Sequence, residues 1–167
     1  YQFESIHPFL DGNGRVGRLL MILYLVMSGL LDLPVLLLSG YVGKNKNDYY
    51  DLLQQTRTKD EFGDIVTFFL RGVQVQAEEG VKRVEQIEVL MEKYERVIEK
   101  SMSVRSHRLT QCIFSKPLLT IDYVQGALEL SSRQTASKYL LELEKLGLLK
   151  QKKLGKHKIY YRKAFLK

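Results

Sequence analysis

Between His7 and Arg18 the chain reads HPFLDGNGRVGR, which places an imidazole, a carboxylate, an asparagine between two glycines and two arginines within twelve residues. Such groups handle nucleotides. Gly12, Asn13 and Gly14 stand directly before an apolar run from Val16 to Met27, a pattern that predicts a tight loop opening onto a helix. The first N–H groups of a helix lack intrahelical partners and carry partial positive charge, and glycines let a phosphate come close to the backbone. Arg15 and Arg18, three residues apart, project from nearly one face beside that cradle, each with a planar fork of donors suited to phosphate oxygens. Asp11 at the mouth of the loop suits Mg2+, which takes one or two carboxylates together with phosphate oxygens and water; its other reading is the N-cap of the helix. His7 can take the proton of an attacking hydroxyl. An imidazole with its ordinary pKa near ~6.5 fits that task, and such a base contributes a factor of about 10²–10⁴. Pro8 restricts the backbone after it, and Phe9 is expected to be a buried anchor for the loop. Singly, each residue also has a plain reading: a loop histidine, a weak GxG, two surface arginines.

In this order the twelve residues resemble the signature of the Fic family, whose members mostly transfer AMP from ATP to a hydroxyl on a protein. The resemblance implies that His7 is the base, Asp11 holds the metal, Gly12, Asn13 and Gly14 bind the alpha phosphate, and Arg15 and Arg18 bind the outer phosphates. The second arginine favours ATP bound in the AMP-transferring orientation. The resemblance covers roughly Tyr1 to Gln76, the C-terminal half of a Fic core. It implies that several helices and a β-hairpin flap come before the motif and, in some members, a helix whose Glu inhibits the second arginine. A chain that starts at Tyr1 therefore reads as a fragment, with weak activity or none by itself. Fic relatives also carry a tyrosine pair, one member of which lies near the nucleotide. Tyr49 of the pair Tyr49–Tyr50 is the candidate, with packing as the alternative.

These residues must be positioned by helices, and the expected fold class is mainly α: a Fic-type helical core fragment, a long connecting helix, then a small α+β domain. The run Leu19, Leu20, Met21, Ile22, Leu23, Leu25, Val26 is apolar nearly all round, as a central buried helix would be. A turn and an extended segment follow at Leu30–Leu38, then helices at Asn47–Thr56 and Asp64–Gln76. Val73, Ala77, Gly80, Val84, Ile87, Met91, Tyr94 and Ile98 recur at the four-three spacing of a coiled-coil seam. This predicts a rigid connecting helix whose stripe packs on the core or pairs with a second copy, making a homodimer one possible state.

At 167 residues and 45% apolar content the chain supports one or two packed domains. No apolar stretch is long enough to cross a bilayer, where about 20 residues are needed. No secretory signal is visible, and the single Cys112, expected in the core, suits a reducing compartment; the expected location is cytoplasmic. Three histidines and one cysteine are too few for a structural zinc site. Charge divides the chain. Residues 104–167 hold fourteen Lys and Arg against four Asp and Glu, while 1–72 and 73–103 are net −1 and −2. The expected domains are therefore 1–76, a connecting helix 77–103, and 104–167.

The last segment resembles a winged helix-turn-helix in pattern. Helices are expected at Leu109–Phe114, at Thr120–Leu128 with Thr120 as N-cap, and at Ser132–Leu146 with Ser132 as cap. In the third helix Ala136, Leu140, Leu143 and Leu146 should face the core, and Gly147 should end it. Strands at Leu148–Lys153 and His157–Tyr161 around Gly155–Lys156 would form the wing. If the third helix enters a major groove, Arg133, Gln134, Ser137 and Lys138 would meet duplex DNA, with Lys152, Lys153, Lys156 and Lys158 on the wing. Protein docking is the alternative, and His107 and His157 read as surface residues.

The residues thus point to a protein adenylyltransferase that uses ATP and Mg2+ on a target protein's Ser, Thr or Tyr hydroxyl. Two rivals stand beside it: a DNA-binding regulator whose nucleotide site is a sensor or vestige, and an enzyme that removes AMP.

Overall fold

The computed structural model describes residues 1–155 and 157–162. The chain separates into two compact units, Tyr1–Val84 and Glu85–Lys167. Among the described residues no helix is long and apolar enough to cross a membrane.

The first unit holds α1 (Gln2–Ile6), α2 (Asn13–Met27), α3 (Leu38–Lys44), α4 (Lys46–Lys59) and the first half of α5 (Gly63–Ser101). The helices expected at Asp64–Gln76 and along the four-three stripe are one continuous helix, since no proline interrupts the pattern. The seven-residue α3 begins where the expected extended segment Leu30–Leu38 ends and occupies residues for which no element was expected. Val42, Tyr49 and Phe68 form a small core with Tyr41, Leu52, Leu53 and Phe69. Gly72 lets α5 approach α3, because a Cβ there would come within 2.7 Å of the Tyr41 ring. The expectation of a buried α2 fails: Ile22 is buried, but Leu19, Leu20, Leu23, Tyr24 and Met27 are exposed. An apolar sequence on all sides requires neighbours on all sides, and this unit provides them on one. Leu20, Met21 and Tyr24 instead line an apolar cavity of about 660 Å³ with Ile65, Phe69 and Val73.

The second unit holds the rest of α5, then α6 (Ser106–Phe114), β1 (Leu118–Leu119), α7 (Ile121–Ala127), α8 (Arg133–Lys145), β2 (Lys150–Leu154) and β3 (His157–Tyr161). The antiparallel sheet has the order β1-β3-β2, and the two-residue β1 was not foreseen because so short a strand has no alternation to read. Thr120 and Ser132 cap α7 and α8 by accepting from the N–H of Tyr123 and Gln134. Gly147 takes the left-handed conformation past the end of α8, with φ of 73°. Tyr94 and Ile98 of α5, Leu109 and Ile113 of α6, Val124 of α7, and Ala136, Leu140 and Leu143 of α8 pack into one core with Tyr160 of β3. A fully buried leucine here contributes about 2 kcal/mol. Leu146 is the exception to the expected core set, being 36% exposed where the helix ends.

The stripe along α5 is buried only towards its C-terminal end. Tyr94 and Ile98 are covered, Val73, Gly80, Ile87 and Met91 are half-buried, and Ala77 and Val84 are exposed.

Candidate active site

The twelve-residue motif forms the mouth of a cleft of about 610 Å³ in the first unit, within the range that binds small molecules. His7, Asp11, Gly12, Asn13, Gly14, Arg15, Arg18 and Tyr49 all line it. The fold therefore brings together every residue singled out for the nucleotide.

His7 ends α1 in the left-handed conformation, at φ 52° and ψ 58°. Its Nδ1 lies 2.7 Å from the Glu4 carbonyl oxygen. A carbonyl only accepts, so in the neutral ring Nδ1 carries the proton and Nε2 keeps the free lone pair. That is the state a proton acceptor needs.

The loop after His7 is fastened by Asn13. Its side-chain Oδ1 accepts from the Phe9 N–H at 2.9 Å and its Nδ2 donates to the Phe9 carbonyl at 2.6 Å. Asn13 is 3% exposed, whereas Phe9, expected as the buried anchor, is 51% exposed, with its ring 6.2 Å from that of Phe3. An amide that satisfies both polar groups of one peptide residue holds a loop more specifically than an aromatic ring would.

Gly12, at φ 83°, is the N-cap of α2, in a conformation that favours glycine. Asp11 is thus not the N-cap. It stands one residue earlier, and its Oδ1 accepts from the Gly12 N–H at 2.6 Å. Its Oδ2 pairs with Nη2 of Arg15 at 3.1 Å, and both side chains are largely exposed. Among the described residues no cluster of three His, Cys, Asp or Glu is arranged to hold a metal ion. An exposed carboxylate that exchanged its Arg15 partner would suit Mg2+, which takes most of its ligands from phosphates and water.

The guanidinium groups lie over the glycines. A Cβ on Gly12 would be 3.4 Å from Nη2 of Arg15, and one on Gly14 would be 3.0 Å from Nη1 of Arg18. Side chains at these two positions would compete with the cations for the space where an anion would sit.

Tyr49 is 5% exposed and stacks on Phe68, so it belongs to the core as well as lining the cleft. Burial pushes its phenol up to about 12, with the negative charge of Glu4 adding to the effect and Arg18 opposing it. Its neighbour Tyr50 is the exposed member of the pair. Tyr50, Gln54 and Arg57 line the cleft at helical spacing along α4. The sequence reading missed them, as it missed Glu4; the spacing of four and three was the available signal, but Arg57 fell just past the expected end of the helix at Thr56.

Cys112 is buried in the second unit, where burial pushes its thiol up, in keeping with a core residue. The residues considered for DNA belong to the second unit. Arg133 is engaged by Asp122, with Nε donating to Oδ1 at 2.7 Å. Gln134, Lys138, Lys152, Lys153 and Lys158 are exposed and Ser137 is half-buried, while Lys156 lies outside the described residues. His107 is exposed and bonded to Gln111 and Glu95; of His157 only its place in β3 is described.

Comparison with known proteins divides along the same lines. Residues 1–25 match the Fic/DOC family. Residues 89–165 match the C-terminal domain of SoFic-like protein adenylyltransferases. A probable protein adenylyltransferase of Aquifex aeolicus (strain VF5) is 64% identical over 53 residues, covering 32% of this chain and 14% of that protein. The protein adenylyltransferase Fic of Nematostella vectensis is 40% identical over 60 residues, covering 36% of this chain and 13% of that protein. The matched part of the chain thus spans about one seventh of the length of these relatives.

Proposed function

We propose that this chain, which carries the C-terminal part of a Fic domain and a SoFic-like C-terminal domain, transfers AMP from ATP to a hydroxyl of a target protein. The observation that carries the proposal is the His7 ring, whose Nδ1 lies 2.7 Å from the Glu4 carbonyl oxygen and which lines one cleft with the glycine loop and two arginines. In this reading Nε2 of His7 takes the proton of a Ser, Thr or Tyr hydroxyl as its oxygen bonds to the alpha phosphorus. The bond from that phosphorus to the bridging oxygen breaks, and pyrophosphate leaves. Gly12 to Gly14 hold the alpha phosphate, where the N-terminus of α2 favours negative charge. Arg15 and Arg18 bind the outer phosphates, and Tyr50 offers a ring for the base. Asp11 would hold magnesium, which when bound supplies charge neutralisation of the polyphosphate. ATP labelled in the alpha phosphate is expected to label a target protein, and ATP labelled in the gamma phosphate is not. Label arriving from the gamma position would reject AMP transfer. An enzyme that removes AMP would use the same residues, and release of AMP from a premodified target tests it.

A second reading, duplex DNA binding by the C-terminal unit, is favoured by one specific observation. Lys153 and Lys158 face each other across the hairpin of β2 and β3, a like-charge pair that weakens the free hairpin and that an anion would relieve. From Lys145 to the end the sequence has nine Lys and Arg and no Asp or Glu. The plain alternative is that lysines on the edge strand β2 discourage pairing with other chains. Fluorescence anisotropy with a duplex decides between them. DNA binding requires affinity that falls steeply between 50 and 200 mM salt, by a factor of about 10 or more for several phosphate contacts, and a shallower slope in Lys153→Gln. No binding at 50 mM salt would leave only the role in protecting the edge.

A further inference from the structure

Arg18 is held by a residue outside the twelve-residue motif. Its Nε donates to Oγ of Ser39 at 3.1 Å across 21 positions of sequence. The phenol of Tyr49 lies near enough to Arg18 to feel its charge, and since burial pushes that phenol up it stays neutral and does not cancel the positive charge. Ser39 lies in the first turn of α3, so the latch exists only once α3 has folded beside α2. A bond through Nε uses the donor nearest the side-chain stem and leaves the outer fork available, with Nη1 over the backbone of Gly14. Arg15 is in a different state, because its Nη2 is engaged by Asp11, the carboxylate proposed for the metal. One arginine is preset; the other must exchange partners.

We propose that Ser39 is a positioning residue that presets Arg18 for an outer phosphate of the nucleotide. The proposal rests on the ATP reading above. An arginine already ordered loses less conformational freedom when a phosphate arrives, so removing the latch weakens the ligand that uses Arg18 and spares a ligand that does not. ATP has outer phosphates and AMP has none, so the ratio of their affinities isolates the effect.

The test is calorimetric titration of the protein with ATP and with AMP, alongside NMR of the arginine Nε–H groups, comparing the native protein with Ser39→Ala and Ser39→Thr. Ser39→Ala is expected to bind ATP about 3–10-fold more weakly, the scale of the net contribution of one exposed hydrogen bond, with AMP affinity little changed. Ser39→Thr keeps the hydroxyl and should retain the native ratio. The slowly exchanging Nε–H signal of Arg18 should vanish in Ser39→Ala and persist in Ser39→Thr. An unchanged ATP-to-AMP ratio in Ser39→Ala, or equal weakening of both ligands, overturns the latch while leaving the ATP reading intact. A native protein that binds neither nucleotide overturns the ATP reading. In that case the latch still stands or falls on the Nε–H signal, and its assigned purpose falls.

Discussion

His7→Ala is expected to lower the rate of the proposed AMP transfer by about 10²–10⁴-fold, the range for a lost general base, and to leave ATP affinity near that of the native protein. Affinity is spared because the groups proposed to hold the phosphates, the backbone of Gly12 to Gly14 and the two arginines, do not depend on the imidazole. Backbone strain is the one confounding effect, since His7 sits at φ 52°. Asparagine tolerates that conformation better than alanine does, so His7→Asn separates the two causes. If chemistry is what His7 supplies, both variants lose transfer to the same extent, and melting temperature does not track the loss. Transfer of alpha-phosphate label at more than a tenth of the native rate in His7→Asn would dismiss the histidine as base.

Asn13→Asp is the second large effect, and it acts on the scaffold rather than on the reaction. The exchange keeps the size of the side chain but removes the donor to the Phe9 carbonyl, leaving a carboxylate 2.6 Å from that oxygen at a site 3% exposed. Leaving a buried polar group unsatisfied costs about 1–3 kcal/mol, more when it is charged. Protonation relieves it, because a neutral carboxyl can donate to the carbonyl. Its folded-state pKa is therefore raised above the unfolded one. The variant approaches native stability below the unfolded carboxyl pKa and loses it as pH rises through the folded one. Thermal melts without nucleotide at pH 5 and pH 8 should show a larger deficit at pH 8. If Asn13 served the phosphate alone, the melts would match native at both pH values and only ATP affinity would fall. That result would remove the clip.

Helices α7 and α8 of the second unit were legible in detail because their signals are local. Thr120 and Ser132 cap through bonds to residues two or three positions away, Gly147 stops α8 by its own φ, and Ala136, Leu140 and Leu143 mark the inner face by spacing alone. The cleft proposed for the nucleotide was legible as a set of residues for the same reason, since most of them lie in one loop and one helix turn. Burial was less legible. Phe9 and the outer face of α2 are as apolar as core residues, but burial depends on what packs against them, and a linear pattern does not carry that.

The sequence by itself determined the chemical inventory of the site, the capped helices and the partition of charge, because each depends on residue type and on neighbours within a turn or two. Only the tertiary structure decided that Asn13 rather than Phe9 secures the loop, that Tyr50 rather than Tyr49 is the exposed tyrosine, and that Ser39 reaches Arg18. Those outcomes depend on which surfaces meet when helices distant in the chain pack together, and packing selects partners by shape and hydrogen-bond geometry that no spacing rule encodes.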